Sequence, residues 1–396
     1  MTDPLLRPLS TRDPSLIAAS PDASAPGATS SPAASEREKS DPLGEELRLR
    51  VQRQAERVQL TAAGVQTEAQ RRVETVQLRA SRLRTQLEFR REKRDPIRFR
   101  LSITTVRLVS WLAWSLPQPM RVRLAIVVGW LVFRFNAGFR DNVRSNLLHV
   151  LGPATPESRI AETSRSIARN GILNTLDLLI VNRQSAHQVL ESIDIDPEFT
   201  RQLDLAGRDA QGTIVITAHL GSFDMIGQAM AALSYPITIL TGRTTYRVLF
   251  DAMSFLRRAR GGAMVEPTPS GVRNIYRSLR RGEIVGIVSD RDFFLNGLPV
   301  QFFGAETTLP PGPVRIARDT GALILPAFAR RNGWRHEIRV LPGFRVPRTA
   351  DVDADVAEGM RSMIAVLERE IASEPEQWSI FQRVWPDDAP ADSSGS

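Results

Sequence analysis

The stretch that decides the fold is Gly212-Thr-Ile-Val-Ile-Thr-Ala-His219-Leu-Gly-Ser-Phe-Asp224-Met-Ile-Gly-Gln228. Its β-branched run after the turn glycine predicts a buried strand, and a helical pattern of apolar residues follows. His219 and Asp224 therefore flank a turn from strand to helix. With His219 in the loop and Asp224 in the first helical turn, we expect the carboxylate to fold back onto the imidazole. A carboxylate in that position makes a histidine a competent general base.

Strands and helices alternate after this stretch, which predicts an α/β fold with a mostly parallel central sheet covered by helices. Further strands are predicted at 237–241, ending at 265, 284–289, 300–304, 322–329 and 337–340, and helices at 249–260, 270–281, 314–320 and 354–373. Because parallel strands end at one edge of a sheet, polar residues that follow different strands should gather there. The residues expected at this edge are His219, Asp224, Thr241, Arg243, Asp290, Arg291 and Asp292.

The two arginines at this edge suit a phosphorylated substrate, since the guanidinium fork matches phosphate oxygens. Ion pairing is the alternative for each of them, for example Arg291 with its neighbouring aspartates. A metal site is the alternative for Asp290 and Asp292, but the chain has no Gly-x-x-x-x-Gly-Lys-[Ser/Thr] phosphate loop to accompany it. Glu306 is a weaker candidate, either for an acceptor pocket or for a second contact to His219.

Ser222 lies in Leu-Gly-Ser-Phe-Asp, which lacks the Gly-x-Ser-x-Gly elbow that exposes a nucleophile. The sequence therefore favours a helix N-cap for Ser222 and direct transfer by a base over a covalent intermediate. The absence of cysteine excludes a cysteine acyl-enzyme, disulfides and thiolate metal sites. The four histidines are far apart in sequence, so no metal site or metal cofactor is predicted.

His-x-x-x-x-Asp after a strand resembles the first block of the glycerolipid and lysophospholipid acyltransferase superfamily. The wider pattern is similar to its branch that acylates lipid A and phosphatidylinositol mannosides in bacteria. The matching pieces are Asn146-Leu147, Thr217-Ala-His219-Leu-Gly-Ser-Phe-Asp224, Tyr246-Arg247, Arg260-Gly261-Gly262, Ser289-Asp290-Arg291-Asp292, Phe302-Phe303-Gly304, Gly312-Pro313 and Gly321-Ala-Leu-Ile-Leu-Pro326. Lipid A enzymes tend to have Glu, preceded by Asn-Trp, where this chain has Ser222-Phe223-Asp224. Asp224 and the Asp-Arg-Asp at 290–292 resemble the mannoside-acylating branch instead.

The resemblance implies an O-acyltransferase in which His219 and Asp224 are catalytic. It implies that Gly221, Ser222, Thr241, Arg243, Asp290, Arg291, Asp292 and Glu306 contribute to substrate binding. The acyl donor would be acyl-CoA or an acyl carrier protein, used as a co-substrate with no further cofactor. The acceptor would be a hydroxyl of a lipid A-like or phosphatidylinositol-mannoside-like glycolipid, or of a lysophospholipid.

The 396 residues include 42% hydrophobic residues, enough for a core, and a net charge of +8 that indicates an anionic partner. Residues 1–43 are predicted to be a disordered tail, 44–96 a long charged helix, 137–385 the acyltransferase domain and 386–396 a tail. The long helix has a thin apolar seam, which fits either a coiled-coil partner or a solvated helix. No signal peptide is evident.

Residues 97–136 are predicted to form amphipathic helices at a membrane interface, after a strongly basic run at 79–100. Two ordinary core helices are the alternative. We expect a peripheral or monotopic protein on the cytoplasmic face of the cell membrane. The competing functions are a non-catalytic membrane scaffold that uses the long helix, and nucleic-acid binding, which the scarcity of aromatic residues in the basic run disfavours.

Overall fold

The computed structural model describes residues 96–208, 211–242, 252, 254–257, 262–293 and 296–385. The predictions for the tail 1–43, for the helix 44–96 except Pro96, and for the tail 386–396 lie outside the described residues. Arg243 and most of the predicted helix 249–260 lie outside them as well.

The helices of the described chain have the following bounds: α1 Pro96–Ser115, α2 Gln118–Phe135, α3 Ala137–Leu151, α4 Glu157–Val181, α5 Ala186–Glu191, α6 Pro197–Arg208, α7 Asp224–Ala232, α8 Pro269–Arg280, α9 Gly312–Thr320 and α10 Val352–Ser373. The strands are β1 Ile193–Ile195, β2 Thr213–Thr217, β3 Ile237–Leu240, β4 Ala263–Val265, β5 Ile284–Val288, β6 Leu298–Phe302, β7 Ala305–Leu309, β8 Leu323–Asn332 and β9 Arg335–Val340.

The main sheet has seven strands in the order β1-β9-β8-β2-β5-β3-β4. Strands β8, β2, β5, β3 and β4 are parallel to one another. Strand β9 returns antiparallel to β8, and β1 pairs parallel to β9. The predicted mostly parallel α/β fold is therefore confirmed. Strands β1 and β7 were not predicted, and β6 and β7 form a separate antiparallel hairpin.

Strand β2 is buried on both faces because helices cover both sides of the sheet. Ile214 and Ile216 point into one apolar cluster, together with residues of α8, α9 and α10. Val215, between them, points into a second cluster with residues of α6 and α7. A continuous β-branched run is the pattern expected of a strand in such a doubly covered parallel sheet.

The first two helices expose most of their large apolar side chains. Most of the exposed large apolar residues of the described chain belong to α1 and α2, among them Trp111, Trp114 and Trp130. Few residues of these two helices are buried. Two of them, Ala113 and Ala125, pack with Leu176 of α4. Within the described residues, no helix by itself meets the length and hydropathy that a membrane crossing requires. The two segments Phe99–Ser115 and Gln118–Phe135 meet them only as a pair, bent by 119°.

Residues 375–385, which we call the C-terminal strap, follow α10 and return to the centre of the fold. The strap begins with a 3-10 turn at Pro375–Gln377, and Trp378 then forms a β-bridge with Leu220 just after β2. Farther along, Trp385 is buried and stacks on Phe302 of β6. The strap thereby brings its own side chains to the carboxyl end of β2.

Candidate active site

The turn between β2 and α7 has a tightly held backbone. The N–H of Gly221 donates to the carbonyl of Gln377 at 2.9 Å, and the N–H of Ser222 donates to the carbonyl of Ala329 at 2.9 Å. Gly221 has φ +54°, and a Cβ there would lie 2.1 Å from the same Ala329 oxygen. A residue other than glycine would meet both the left-handed backbone and this close approach. The turn therefore fixes the backbone next to His219.

The ring of His219 is held by Asp290, which follows β5. Nδ1 of His219 lies 2.8 Å from Oδ1 of Asp290, and the backbone N–H of His219 donates to Oδ2 at 2.8 Å. The indole N–H of Trp378 donates to the same Oδ2 at 2.9 Å. An ionised carboxylate only accepts hydrogen bonds, so the proton of the neutral ring lies on Nδ1. The described residues give Nε2 no hydrogen-bond partner, which leaves this nitrogen for a substrate.

The register of the two strands explains this contact. Thr217 of β2 is opposite Val288 of β5, and the N–H of Ser289 donates to the carbonyl of Thr217 at 2.9 Å. Residues that lie two positions past these paired residues therefore come together at the carboxyl edge of the sheet. His219 and Asp290 are those residues, which is why 71 positions of sequence separation become a direct contact.

The side chain of Asp290 is fully buried. Burial raises the pKa of Asp290, but the electrostatic attraction of His219 and the N–H donors from its ring, the Trp378 indole and the His219 backbone outweigh it, so this pKa lies below its ordinary value. A buried carboxylate with three donors can fix the tautomer of the ring and stabilise the imidazolium when it forms.

The direct contact predicted between His219 and Asp224 is absent, and this expectation was wrong. Asp224 begins α7, and both of its carboxylate oxygens accept from Arg257, at 2.6 Å from Nε and 3.1 Å from Nη2. Burial lowers the pKa of Arg257, but the attraction and hydrogen bonds of Asp224 outweigh it and raise that pKa. The guanidinium of Arg257 binds both oxygens of Asp224 and balances its charge, so this carboxylate is not directed at the imidazole.

The predicted N-cap role of Ser222 is also wrong. The N-cap position of α7 is occupied by Phe223, which makes no side-chain capping bond. The hydroxyl of Ser222 is buried and lies 2.6 Å from Nδ1 of His336 on β9. Ser222 reaches His336 because β9 lies beside β8, and Ala329 of β8 forms a β-bridge with Gly221 of the turn. Ser222 is thus part of a buried polar network below the turn.

His336 and its neighbours complete this network. Nε2 of His336 lies 3.9 Å from Oδ2 of Asp177 on α4, and Arg331 forms an ion pair with the same Asp177. Burial lowers the pKa of His336, Asp177 opposes this effect and Arg331 adds to it. Asn174 on α4 joins the network to the turn, because its side-chain amide donates to the carbonyl of Gly221 at 2.6 Å.

Aromatic residues border the imidazole on two sides. The ring centroid of Phe223 lies 5.0 Å from that of His219, and the ring of Phe293 lies 5.7 Å away. The guanidinium of Arg291 lies 4.4 Å from the centre of the Phe293 ring and also contacts the side chain of Gln382 in the strap. Burial lowers the pKa of Arg291, against the attraction of Asp290 and Asp292. The borders of the ring are therefore apolar, with one cation beside them.

The remaining predicted residues contact groups other than the imidazole. Asp292 accepts from the Gly297 N–H at 2.6 Å and from the Thr308 hydroxyl at 3.1 Å, which ties it to the β6–β7 hairpin. Thr241 is buried, and its backbone N–H donates to the carbonyl of Val265 at 2.9 Å. Glu306 is exposed on β7 opposite Gln301, and no hydrogen bond joins it to His219.

The two aspartates after β5 are thus engaged by different groups, and no cation site is built between them by the contacts described. Nor do any three His, Asp or Glu side chains of the described residues form a group suited to a metal ion.

Sequence reasoning missed three side chains that structure the site, namely Arg257, His336 and Trp378. Arg257 lies 33 residues from its partner Asp224, and Trp378 lies 88 residues from Asp290. No local pattern links such distant residues. The predicted convergence of strand ends was the signal that placed Asp290 near His219.

Comparisons with known proteins identify the family of the chain. The family of bacterial lipid A biosynthesis acyltransferases matches residues 87–386. A phosphatidylinositol mannoside acyltransferase of Mycobacterium tuberculosis is 26% identical over 287 residues, which cover 69% of this chain and 86% of that protein. The protein of the same name from Mycolicibacterium smegmatis is 27% identical over 284 residues, covering 69% and 88%.

A lipid A biosynthesis acyltransferase of Haemophilus influenzae is 22% identical over 179 residues, which cover 44% of this chain and 54% of that protein. The family match spans the helical layer, the sheet, the His219 turn and the C-terminal strap. The chain therefore belongs to the bacterial lipid A biosynthesis acyltransferase family and is an acyltransferase.

Proposed function

We propose that the protein transfers a fatty acyl chain from a thioester donor, acyl-CoA or an acyl carrier protein, to a hydroxyl of a glycolipid. His219 acts as the general base through Nε2, and Asp290 orients and stabilises its ring. The 2.8 Å contact between Nδ1 of His219 and Oδ1 of Asp290 carries this proposal. A base held in this way is typically worth about 10²–10⁴ in rate.

The proton transfers of the reaction take place between the two substrates and His219. Nε2 takes the proton of the acceptor hydroxyl while its oxygen attacks the thioester carbonyl carbon. The tetrahedral intermediate then collapses with cleavage of the carbon–sulfur bond, and the leaving sulfur receives the proton from the imidazolium. The products are an ester and a free thiol, and His219 returns to its neutral form with the Nδ1 proton still directed at Asp290.

Direct transfer is favoured over an acyl-enzyme by the side chains present. The chain contains no cysteine. Ser222, the serine of the turn, is 2% exposed and its hydroxyl is bound to His336. A nucleophilic serine would instead need its hydroxyl exposed and bonded to the base.

A glycolipid acceptor is supported by the names of the relatives, which are acyltransferases of phosphatidylinositol mannoside or of lipid A biosynthesis. The aromatic rings of Phe223 and Phe293 beside His219 offer an apolar border for an acyl chain. Arg291, beside Phe293, offers a cation for a phosphate of the donor or of the acceptor.

Attachment to a membrane surface is supported by α1 and α2. Residues 96–135 contain no acidic residue, and Trp111, Trp114 and Trp130 are each about half exposed among other apolar side chains. Arginines flank these side chains, for example Arg121 and Arg123 at the start of α2. Exposed tryptophans beside basic residues are typical of helices that lie in the interface of an anionic bilayer. This arrangement would bring the enzyme to a lipid acceptor.

The mechanism is tested by following thiol release from a long-chain acyl-CoA, with a phosphatidylinositol mannoside in mixed micelles as acceptor and with the ester product confirmed by mass spectrometry. Because the protein has no cysteine, a thiol reagent reports only the released CoA. We expect His219→Ala to lower the rate by about 10²–10⁴. The matched control is His187→Ala, whose imidazole is exposed and paired with Glu191, and this variant should keep the wild-type rate. Equal rates for the two variants would overturn the mechanism.

Membrane attachment is tested by flotation of the protein with vesicles of phosphatidylglycerol and of phosphatidylcholine. We expect binding to the anionic vesicles and a clear loss of binding in the double variant Trp111→Ser/Trp114→Ser. Trp334→Ser is the control, since Trp334 is equally exposed but lies in the β8–β9 turn. If the control and the double variant bind alike, α1 does not form the membrane surface.

A further inference from the structure

The C-terminal strap is held by two pairs of asparagines on α3 and α4. Asn142 and Asn146 are four residues apart on α3, and Asn170 and Asn174 are four apart on α4, so each pair lies on one helix face. On α3, Asn142 donates to the carbonyl of Phe381 at 3.1 Å, and Asn146 donates to the carbonyl of Gln382 at 2.9 Å and accepts from the N–H of Val384 at 3.0 Å. On α4, Asn170 donates to the carbonyl of Glu376 at 2.8 Å, and Asn174 donates to the hydroxyl of Ser379 at 3.4 Å.

These asparagines replace the sheet partners that an extended segment would otherwise need. Most strap residues lie outside the strands, and buried backbone groups must find hydrogen bonds elsewhere. Side-chain amides can donate and accept, which suits both the carbonyls and the N–H groups of the strap. The strap is therefore fixed in register rather than laid loosely over the site, and the position of Trp378 is determined by these contacts.

Trp378 is where the strap reaches the candidate active site. Its side chain is 1% exposed, and its indole N–H donates to Oδ2 of Asp290 at 2.9 Å. On the backbone, Trp378 forms a β-bridge with Leu220, and the next N–H, of Ser379, donates to the carbonyl of His219 at 2.8 Å. The strap thus contacts both members of the His219–Asp290 pair.

The two oxygens of Asp290 consequently have different partners. Oδ2 accepts from the indole of Trp378 and from the backbone N–H of His219, while Oδ1 accepts, among the described residues, only from the ring of His219. Two donors on Oδ2 fix the plane of the carboxylate, so that Oδ1 is held in line with Nδ1. A carboxylate with one of these donors removed could rotate about its side-chain torsion, and its contact with the ring would weaken.

We propose that Trp378 is a positioning residue of the acyltransferase, which fixes Asp290 through its indole N–H and thereby orients the general base. This role rests on the proposed function of His219 and Asp290. Because Trp378 is buried, its effect is transmitted through the carboxylate. A residue from the last part of the domain therefore completes a site whose other members come from β2 and β5.

The structure supplies a matched control for this role in Trp385, at the other end of the strap. Trp385 is 2% exposed and stacks on His149 and Phe302, with centroid distances of 4.1 Å and 5.7 Å. Its indole nitrogen is buried and has no hydrogen-bond partner among the described residues. Trp378→Phe and Trp385→Phe thus remove the same atoms from two buried positions of the strap, and only the first removes a donor to Asp290.

The experiment measures thiol release from acyl-CoA, with the phosphatidylinositol mannoside acceptor, as a function of pH in the full chain. We expect Trp378→Phe to lower kcat about tenfold with little change in KM, since an orienting donor acts on the chemical step. The Asp290 carboxylate loses a donor to its charged form, so its pKa rises. Since catalysis needs the ionised carboxylate, the acidic limb of the pH–rate profile moves to higher pH. Trp385→Phe should leave this limb at the wild-type pH.

Three results separate the possible outcomes. Activity that survives in His219→Ala removes the proposed function itself. If His219→Ala is inactive but Trp378→Phe and Trp385→Phe have the same pH profile, the role of Trp378 is overturned. The proposed function is then retained. A shift of the acidic limb in Trp378→Phe alone supports the inference, because a general loss of packing would affect both tryptophan variants.

A second measurement covers the case in which Trp378→Phe does not fold. The indole groups of the wild-type protein are labelled with ¹⁵N and followed by NMR across the acidic limb, with assignment by substitution of the other tryptophans. We expect the Trp378 indole resonance to titrate at the pH of the kinetic limb, while the Trp385 resonance stays constant. A Trp378 resonance that does not respond to this titration contradicts the proposal.

Discussion

Asp290 and Asp224 are two acidic residues close to the same histidine turn, with opposite surroundings. Asp290 is fully buried and accepts from His219 and Trp378, whereas Asp224 is partly exposed and both of its oxygens are bound by Arg257. Asp224 is five positions from His219 in sequence, and Asp290 is 71 positions away. The comparison teaches that the carboxylate nearer in sequence pairs with Arg257, whereas the one nearer in space holds the ring.

The largest expected effect separates Asp290 from the next acidic residue of its own loop. We expect Asp290→Asn to lower the rate of thiol release by about 10²–10⁴, because an amide cannot stabilise the imidazolium as a carboxylate does. Asp292→Asn is the control, since Asp292 binds the Gly297 N–H and the Thr308 hydroxyl rather than His219. Equal losses in the two variants would mean that charge near the site, and not the contact to the ring, is what matters.

The second prediction concerns the backbone of the turn between β2 and α7. Gly221 and Gly333 have nearly the same φ, +54° and +57°, but only at Gly221 would a Cβ meet another atom closely. We expect Gly333→Ala to lower the free energy of unfolding by about 1 kcal/mol from backbone strain. Gly221→Ala should cost about 3 kcal/mol or more, since its Cβ would displace Ala329 as well. Thermal unfolding monitored by circular dichroism checks both, and similar melting temperatures would refute the steric account.

The third prediction tests whether Asp224 has a structural role. We expect Asp224→Asn and Arg257→Gln each to lower the free energy of unfolding by about 2 kcal/mol, since each leaves a partly buried charge without its partner. The double variant should cost less than the sum of the two, which a double-mutant cycle would measure. At equal folded fraction, Asp224→Asn should change the rate less than tenfold. A loss as large as that of Asp290→Asn would place Asp224 in the catalytic machinery after all.

The smallest effect is a dependence of stability on pH that arises below the turn. The pKa of His336 lies below its ordinary value of 6.5 in the folded protein, mainly because of burial, so the unfolded chain binds this proton more readily. The contribution to stability is therefore full above pH 6.5 and is lost as the pH falls through the folded pKa. His336→Asn should unfold in urea with a weaker pH dependence between pH 7 and 5 than the wild type. His187→Asn, at an exposed site, should keep the wild-type dependence, and a His336→Asn variant that also keeps it contradicts this assignment.

Some of the site could be predicted because it depends on short-range patterns. The strand predicted at Thr213–Thr217 is the observed β2, and the strand predicted to begin at Ile284 is the observed β5. From parallel strands alone, His219 and Asp290 were expected at one edge, and the register confirms that they meet there. The error was to choose Asp224 as the partner of the ring. Sequence distance favoured it, whereas the pairing of β2 with β5 and the position of Arg257 decided against it.

The sequence by itself determined the strands of the parallel sheet in the described chain, because burial on both faces of such a sheet requires continuous apolar runs. It also determined that a histidine is available as the base and that no cysteine is available as a nucleophile. Only the tertiary structure decided which carboxylate holds that histidine and which hydroxyl is bound to His336. It also decided that Trp378 reaches the site from the far end of the chain. The physical reason is that hydrogen-bond partners of buried polar groups are chosen by strand register and helix packing, which bring together residues that no local pattern relates.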